Sequence, residues 1–107
     1  MTDVPRTPAA EVPDDAVLVD VREDDEWELG HAPGALHIPL GDLPARLGEL
    51  PEEGAHVVCR SGGRSARAVA WLQQNGVDAV DVAGGMGAWL EAGRPMVSEV
   101  GDAPRVK

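Results

Sequence analysis

Ala55-His56-Val57-Val58-Cys59-Arg60-Ser61-Gly62-Gly63-Arg64-Ser65 is the stretch on which the reading of this 107-residue chain turns. The apolar run 55–58 reads as a buried strand, the two glycines as a turn, and residues 65–74 as a helix stopped by Asn75-Gly76. Strand, tight turn and helix start in succession form the basic unit of an α/β fold. This order places the only cysteine, Cys59, at the carboxyl end of a strand, where open α/β sheets bind their ligands. Backbone N–H groups of the turn can converge on the sulfur, and the helix N-terminus adds partial positive charge. Both favour the thiolate, which is the reactive form of cysteine. Gly62 and Gly63 let the backbone curl with its N–H groups inward, because glycine tolerates positive φ. Arg60 and Arg64 in so short a loop point to an anionic visitor.

Outward from that loop the rhythm repeats. Residues 17–21 form a short, mostly apolar run of the kind buried on both faces of a parallel sheet. Residues 24–29 suit a short helix ended by Gly30. Residues 36–38 read as a strand stopped by Pro39, and Asp42 is placed to cap a helix from residue 43 to 47 or 50. Residues 79–82 are a further strand, Gly84-Gly85 a tight turn close to the active loop, and residues 86–92 a short helix before Gly93 and Pro95. The alternation argues for α/β architecture with a mostly parallel sheet. Residues 1–15 read as an arm holding one short strand or helix, residues 16–95 as the domain, and residues 96–107 as a loose tail.

Composition bounds the function. A net charge of −10 argues against nucleic acid and acidic membranes as partners. Against that background the Arg60/Arg64/Arg67 cluster has a local task, with Arg67 assigned to the surface. One cysteine makes no internal disulfide, residues 1–5 lack the apolar segment of a signal peptide, and no apolar run approaches spanning length. A soluble cytoplasmic protein is the expectation. No spacing of His, Cys and Asp resembles a metal site, and no metal or cofactor is expected.

Three segments together resemble the rhodanese family of sulfurtransferases. The first runs from Val17-Leu18-Val19-Asp20-Val21-Arg22-Glu23 through Glu26-Trp27 and Gly30-His31-Ala32-Pro33-Gly34-Ala35 to Ile38-Pro39. The second is the Cys59 loop, and the third is Gly84-Gly85-Met86-Gly87-Ala88-Trp89 with Gly93-Arg94-Pro95. The resemblance implies a single rhodanese domain with a central, mainly parallel five-stranded sheet flanked by helices on both faces. It also implies a reaction. The loop cysteine attacks the outer sulfur of thiosulfate or a similar small anionic donor, sulfite leaves, and a persulfide remains for cyanide, a thiol or a protein acceptor to collect. Carried over, Cys59 is nucleophile and persulfide carrier, and Arg60, Ser61, Gly62, Gly63, Arg64 and Ser65 are the cradle.

The individual residues add detail. Arg60 and Arg64 can hold a donor oxyanion. The hydroxyls of Ser61 and Ser65 can bond the outer sulfur or the donor's oxygens, and Ser65 is equally placed to cap the helix. Asp20 and Arg22 end an apolar strand, where charge is costly to bury unless paired. Arg22 is expected to pair with a carboxylate such as Glu26, and Asp20 to brace loops near the site. Asp20 is not expected to activate the thiol, because a nearby carboxylate raises a thiol's pKa. His31 in Gly-His-Ala-Pro-Gly suggests a hydrogen bond that pins a turn, since a pre-ionised sulfur needs no general base.

Two other functions fit parts of the pattern. Cysteine-dependent phosphatases and arsenate reductases place an arginine after five residues, whereas here Arg64 follows Cys59 with four between. The shorter loop suits a sulfur atom better than a tetrahedral phosphoryl or arsenyl group. A sulfur relay or regulatory module is the other reading. The acidic stretch 23–28 would dock a basic partner or serve as solvated surface.

Overall fold

The computed structural model describes residues 4–107. The first three residues of the N-terminal arm, and with them part of the signal-peptide reading, lie outside the described residues. The strands are β1 (Arg6–Pro8), β2 (Leu18–Asp20), β3 (Leu36–His37), β4 (Ala55–Val58) and β5 (Ala79–Ala83). The α-helices are α1 (Asp24–Leu29), α2 (Gly63–Gln74) and α3 (Gly85–Glu91). The five strands form one sheet in the order β1-β5-β4-β2-β3, and every pairing is parallel. From β2 the chain moves outward to β3; from β4 it moves the other way to β5. The order therefore reverses between β2 and β4, the place where open α/β sheets bind ligands outside the strands' carboxyl ends.

Both faces of the sheet are covered, which is why the strands carry apolar residues in unbroken runs. Val19 and Val57 pack with Val69 and Leu72 of α2 on one face. Leu18, Val58 and Val82 pack with Met86 and Trp89 of α3 on the other. Neighbouring residues of β2 and β4 thus serve opposite cores, as the alternation of side chains along a strand requires. Burying each such side chain is worth about 1.5–3 kcal/mol.

Local chemistry sets the ends of the elements. In α1 the Glu23 side chain accepts from the backbone N–H of Glu26, while the Glu26 carboxylate accepts from the Glu23 N–H at 3.0 Å. Gly62 precedes α2 with φ 115°, and Gly84 precedes α3 with φ 79°. Both values lie in the region where glycine escapes the Cβ clash.

Two expectations are corrected. The helix anticipated from residue 43 is instead a pair of 3-10 turns, Leu40–Asp42 and Pro44–Glu49, and Asp42 makes no side-chain cap. Pro44 stands at the start of the second turn and Arg46 leaves helical geometry (φ −114°, ψ 17°), so no continuous α-helix forms. Nor are residues 96–107 loose. Val97 pairs with His31 through two backbone hydrogen bonds, Glu99 N–H donates to Glu28, and Arg105 N–H donates to Leu29. The C-terminal segment runs along the end of α1, with the Arg105 backbone against Gly30. No helix among the described residues is long and apolar enough to cross a membrane.

Candidate functional site

Cys59 directly follows β4, the strand flanked by β2 and β5, and is buried at 1% exposure. The loop turns back on it. Gly62 N–H donates to Cys59 Sγ at 3.1 Å, and Ser65 Oγ lies 3.3 Å from the same sulfur. Burial works against the anion. It is outweighed by hydrogen bonds from the Ser65 hydroxyl and from the amides of Ser65, Gly62 and Ser61, so the thiol is held below its ordinary range. The loop itself is clamped from behind by α3. Met86 N–H donates to Cys59 O at 2.8 Å and Gly87 N–H to Arg60 O at 3.1 Å. A Cβ on Gly85 would lie 2.4 Å from Cys59 O, so only glycine permits this approach.

The loop's other residues divide. Gly62 and Ser65 face the sulfur, and Ser65 is fully buried within α2. Its hydroxyl caps no helix; it bonds Asp81 Oδ1 at 2.5 Å. Gly63 is exposed at the start of α2, and Ser61 is exposed although its amide reaches the sulfur. Arg60 is exposed, and its side chain makes no hydrogen bond among the described residues. Arg64 is half-buried and forms a two-pronged pair with Glu26, at 2.7 and 2.9 Å. It also lies within Coulombic range of Cys59. The Arg64 guanidinium holds the Glu26 carboxyl below its usual range. Arg67 is exposed.

The pairing of Arg22 differs from expectation. Its guanidinium binds Asp20, with Nε at 3.0 Å and Nη2 at 2.8 Å, and both side chains are fully buried. Side chains two apart on extended chain project to the same side, which brings this pair together ahead of the more distant Glu26. Arg22 still reaches α1 through main-chain oxygens, Gly30 O at 2.7 Å and Glu26 O at 3.4 Å. The Asp20–Arg22 pair therefore ties the end of β2 to α1 and to the residue that ends it. His31 lies away from the sulfur. Its Nδ1 bonds Ala32 O at 3.0 Å and its Nε2 bonds Glu99 at 2.7 Å, while its ring stacks on Trp27 at 3.5 Å.

Sequence reasoning passed over Asp81 and Arg6. Asp81 is buried in β5, and Arg6 Nε of β1 reaches its Oδ2 at 3.2 Å. A signal existed: Asp81 is a lone acid inside the apolar run of residues 79–83. Arg6 carried none, because its partner is remote in sequence.

The arrangement is a desolvated thiol in a ring of amides at the carboxyl end of a central strand, with arginines on the adjoining loop and helix. Comparison with known proteins gives the same picture from another side. The rhodanese-like domain family is matched over residues 9–92. This chain belongs to that family. The rhodanese-like domain is 40% identical over 90 residues to a sulfurtransferase of Allochromatium vinosum, covering 82% of this chain and 84% of that protein. Among solved structures, it is similar to a rhodanese-related protein of Thermoplasma volcanium, with a TM-score of 0.81 and 34% identity over 87% of this chain and 97% of that one. A rhodanese-like domain protein of Staphylococcus aureus matches with a TM-score of 0.75 and 36% identity, over 79% of this chain and 90% of the other. The Cys59 loop, the Asp20–Arg22 pair and the α3 clamp all fall within the residues that the family spans.

Proposed function

We propose that this rhodanese-like domain is a sulfurtransferase that carries sulfane sulfur as a persulfide on Cys59. The observation that carries the reading is the buried sulfur facing loop amides, with Gly62 N–H at 3.1 Å. In the first step the thiolate attacks the outer sulfur of thiosulfate or a similar donor. The donor's S–S bond breaks, and its electron pair leaves on sulfite. The new terminal sulfur is also anionic, so the cradle that holds the thiolate also suits the product. In the second step cyanide or a thiolate acceptor attacks that terminal sulfur, the Cys59 S–S bond breaks, and the thiolate returns. One transfer is thus divided into two displacements. Arg60, exposed on the loop, meets the donor's oxygens in this reading, and Arg64 joins it by exchanging Glu26 for the donor. The depth of the sulfur favours a small donor over a bulky one. A lone cysteine used as a thiolate suits a reducing compartment such as the cytoplasm.

Incubation with thiosulfate, 3-mercaptopyruvate or a cysteine persulfide is expected to raise the intact mass by one sulfur, with Cys59→Ser abolishing the gain. Arg64→Ala is expected to lose far more rate than Arg67→Ala. Absence of the mass gain with all three donors would overturn the reading.

A further inference from the structure

Ser65 stands between two groups that both want its single hydroxyl proton. On one side is Cys59 Sγ at 3.3 Å; on the other is Asp81 Oδ1 at 2.5 Å. A serine hydroxyl has one proton to donate and lone pairs to accept. A carboxylate oxygen only accepts, so in the Ser65–Asp81 hydrogen bond the hydroxyl is the donor. Ser65 Oγ then has only lone pairs to offer the sulfur. Those suit a thiol, which can donate its S–H, and repel a thiolate. All three groups are buried, with Cys59 and Asp81 at 1% exposure and Ser65 at 0%, so the hydroxyl exchanges between two buried partners.

We propose that Asp81 is a positioning residue that sets the direction of the Ser65 hydroxyl, and through it the protonation of Cys59. Below the transition the chain runs Cys59 S–H to Ser65 Oγ, then Ser65 O–H to Asp81. Above it, Cys59 has lost one proton to solvent, and the Ser65 hydroxyl has turned to donate to the thiolate. Asp81 keeps Arg6, its partner at 3.2 Å. One proton leaves, and no other bond to hydrogen is broken. Asp81 therefore acts as a brake, because the thiolate gains the hydroxyl only by taking it from the carboxylate. Arg6 eases the brake by giving Asp81 a second partner.

The charged groups around this chain come from every neighbouring element. β1 brings Arg6, α2 brings Arg64 with its charge on Cys59, and α1 brings Glu26, which Arg64 pairs. β2 brings Asp20, already closed on Arg22, and α3 brings Glu91, which is exposed. Asp81 is the one carboxylate among them that shares a hydrogen-bond partner with the sulfur.

The inference rests on Cys59 being the working nucleophile, but its test uses no sulfur donor, so the two readings fail separately. Iodoacetamide alkylation of Cys59 in the full chain is followed from about pH 5 to about pH 10, with thiolate absorbance as a second probe. Asp81→Asn is expected to move the midpoint down by about one pH unit, since an amide can donate to Ser65 Oγ and release the hydroxyl to the sulfur. Arg6→Gln is expected to move it up, by less, because Arg6 is half exposed. In a Ser65→Ala background the Asp81→Asn shift should fall to less than half. Charge alone would also give opposite shifts for the two members, and the Ser65→Ala background separates that case. An unchanged or raised midpoint in Asp81→Asn would overturn the proposal. So would a full-sized shift in the absence of the Ser65 hydroxyl, which would mean that charge alone acts through space. If Asp81→Asn does not fold, Arg6→Gln is read with and without the Ser65 hydroxyl: an upward shift that needs the hydroxyl supports the proposal, and no shift, or one that persists in Ser65→Ala, overturns it.

Discussion

Cys59 shows how a buried thiol is made acidic without a neighbouring base. Burial alone would raise its pKa; the amides of Ser65, Gly62 and Ser61 and the Ser65 hydroxyl reverse the sign. The pH dependence follows. A thiol whose folded value is depressed adds stability above its unfolded value of about 8.5, and that gain is lost as the pH falls through the folded value. Alkylation of Cys59 by iodoacetamide is expected to reach half its limiting rate below about pH 8.5, and a bulky maleimide should react more slowly than its free-cysteine rate predicts. A midpoint at or above the free-thiol value would mean that the amides do not hold the anion. The strand end at Cys59 and its glycine-containing turn were legible from residues alone, because their logic is local. The direction of the Ser65 hydroxyl was not, because Asp81 lies on another strand.

At the scale of elements, α1, α2 and α3 each grip the active loop differently. The first turn of α3 ties the loop's carbonyls through the amides of Met86 and Gly87. Gly85→Ala would press a methyl group onto Cys59 O and Arg60 O at a positive φ of 58°. It is expected to cost about 1–3 kcal/mol in denaturant unfolding and to raise the Cys59 alkylation midpoint, because the loop must move. α1 and α2 are joined by Glu26–Arg64. Glu26 has a depressed folded value, so the pair contributes stability above the normal glutamate value, and that contribution is lost as the pH falls through the folded one. The melting temperature of Glu26→Gln should therefore lie below the parent's at neutral pH, with the gap closing below about pH 4. A gap that persists in acid would show that the capping-box geometry, not the charge, carries the effect. The helix α1 was visible over residues 24–29, whereas its capping box and the choice of Arg64 over Arg22 required the fold.

For the molecule as a whole, the C-terminal segment packs against the end of α1. Gly30 marks the contact: a Cβ there would lie 2.5 Å from Arg105 O and 2.8 Å from Arg105 N. Its φ of 173° is ordinary extended backbone, so Gly30→Ala tests crowding and not backbone strain. That substitution is expected to expose residues 98–107 to protease and lower stability by about 1–3 kcal/mol. Unchanged protection would mean that the His31–Glu99 and Val97–His31 contacts suffice to seat the segment. The lack of a periodic pattern made this stretch read as loose, yet backbone hydrogen bonds and one histidine hold it.

Patterning along the chain determined the α/β class, the parallel sheet, the place of Cys59 at a strand's end and the glycine turns, because each depends on neighbours within a few residues. Three-dimensional packing decided which charges meet: Arg22 with Asp20, Arg64 with Glu26, Arg6 with Asp81, and Ser65 between Cys59 and Asp81. Arginine reaches any nearby carboxylate, so its partner follows from which strands lie side by side. The register of a parallel sheet depends on pairings between distant segments, and no local pattern records them.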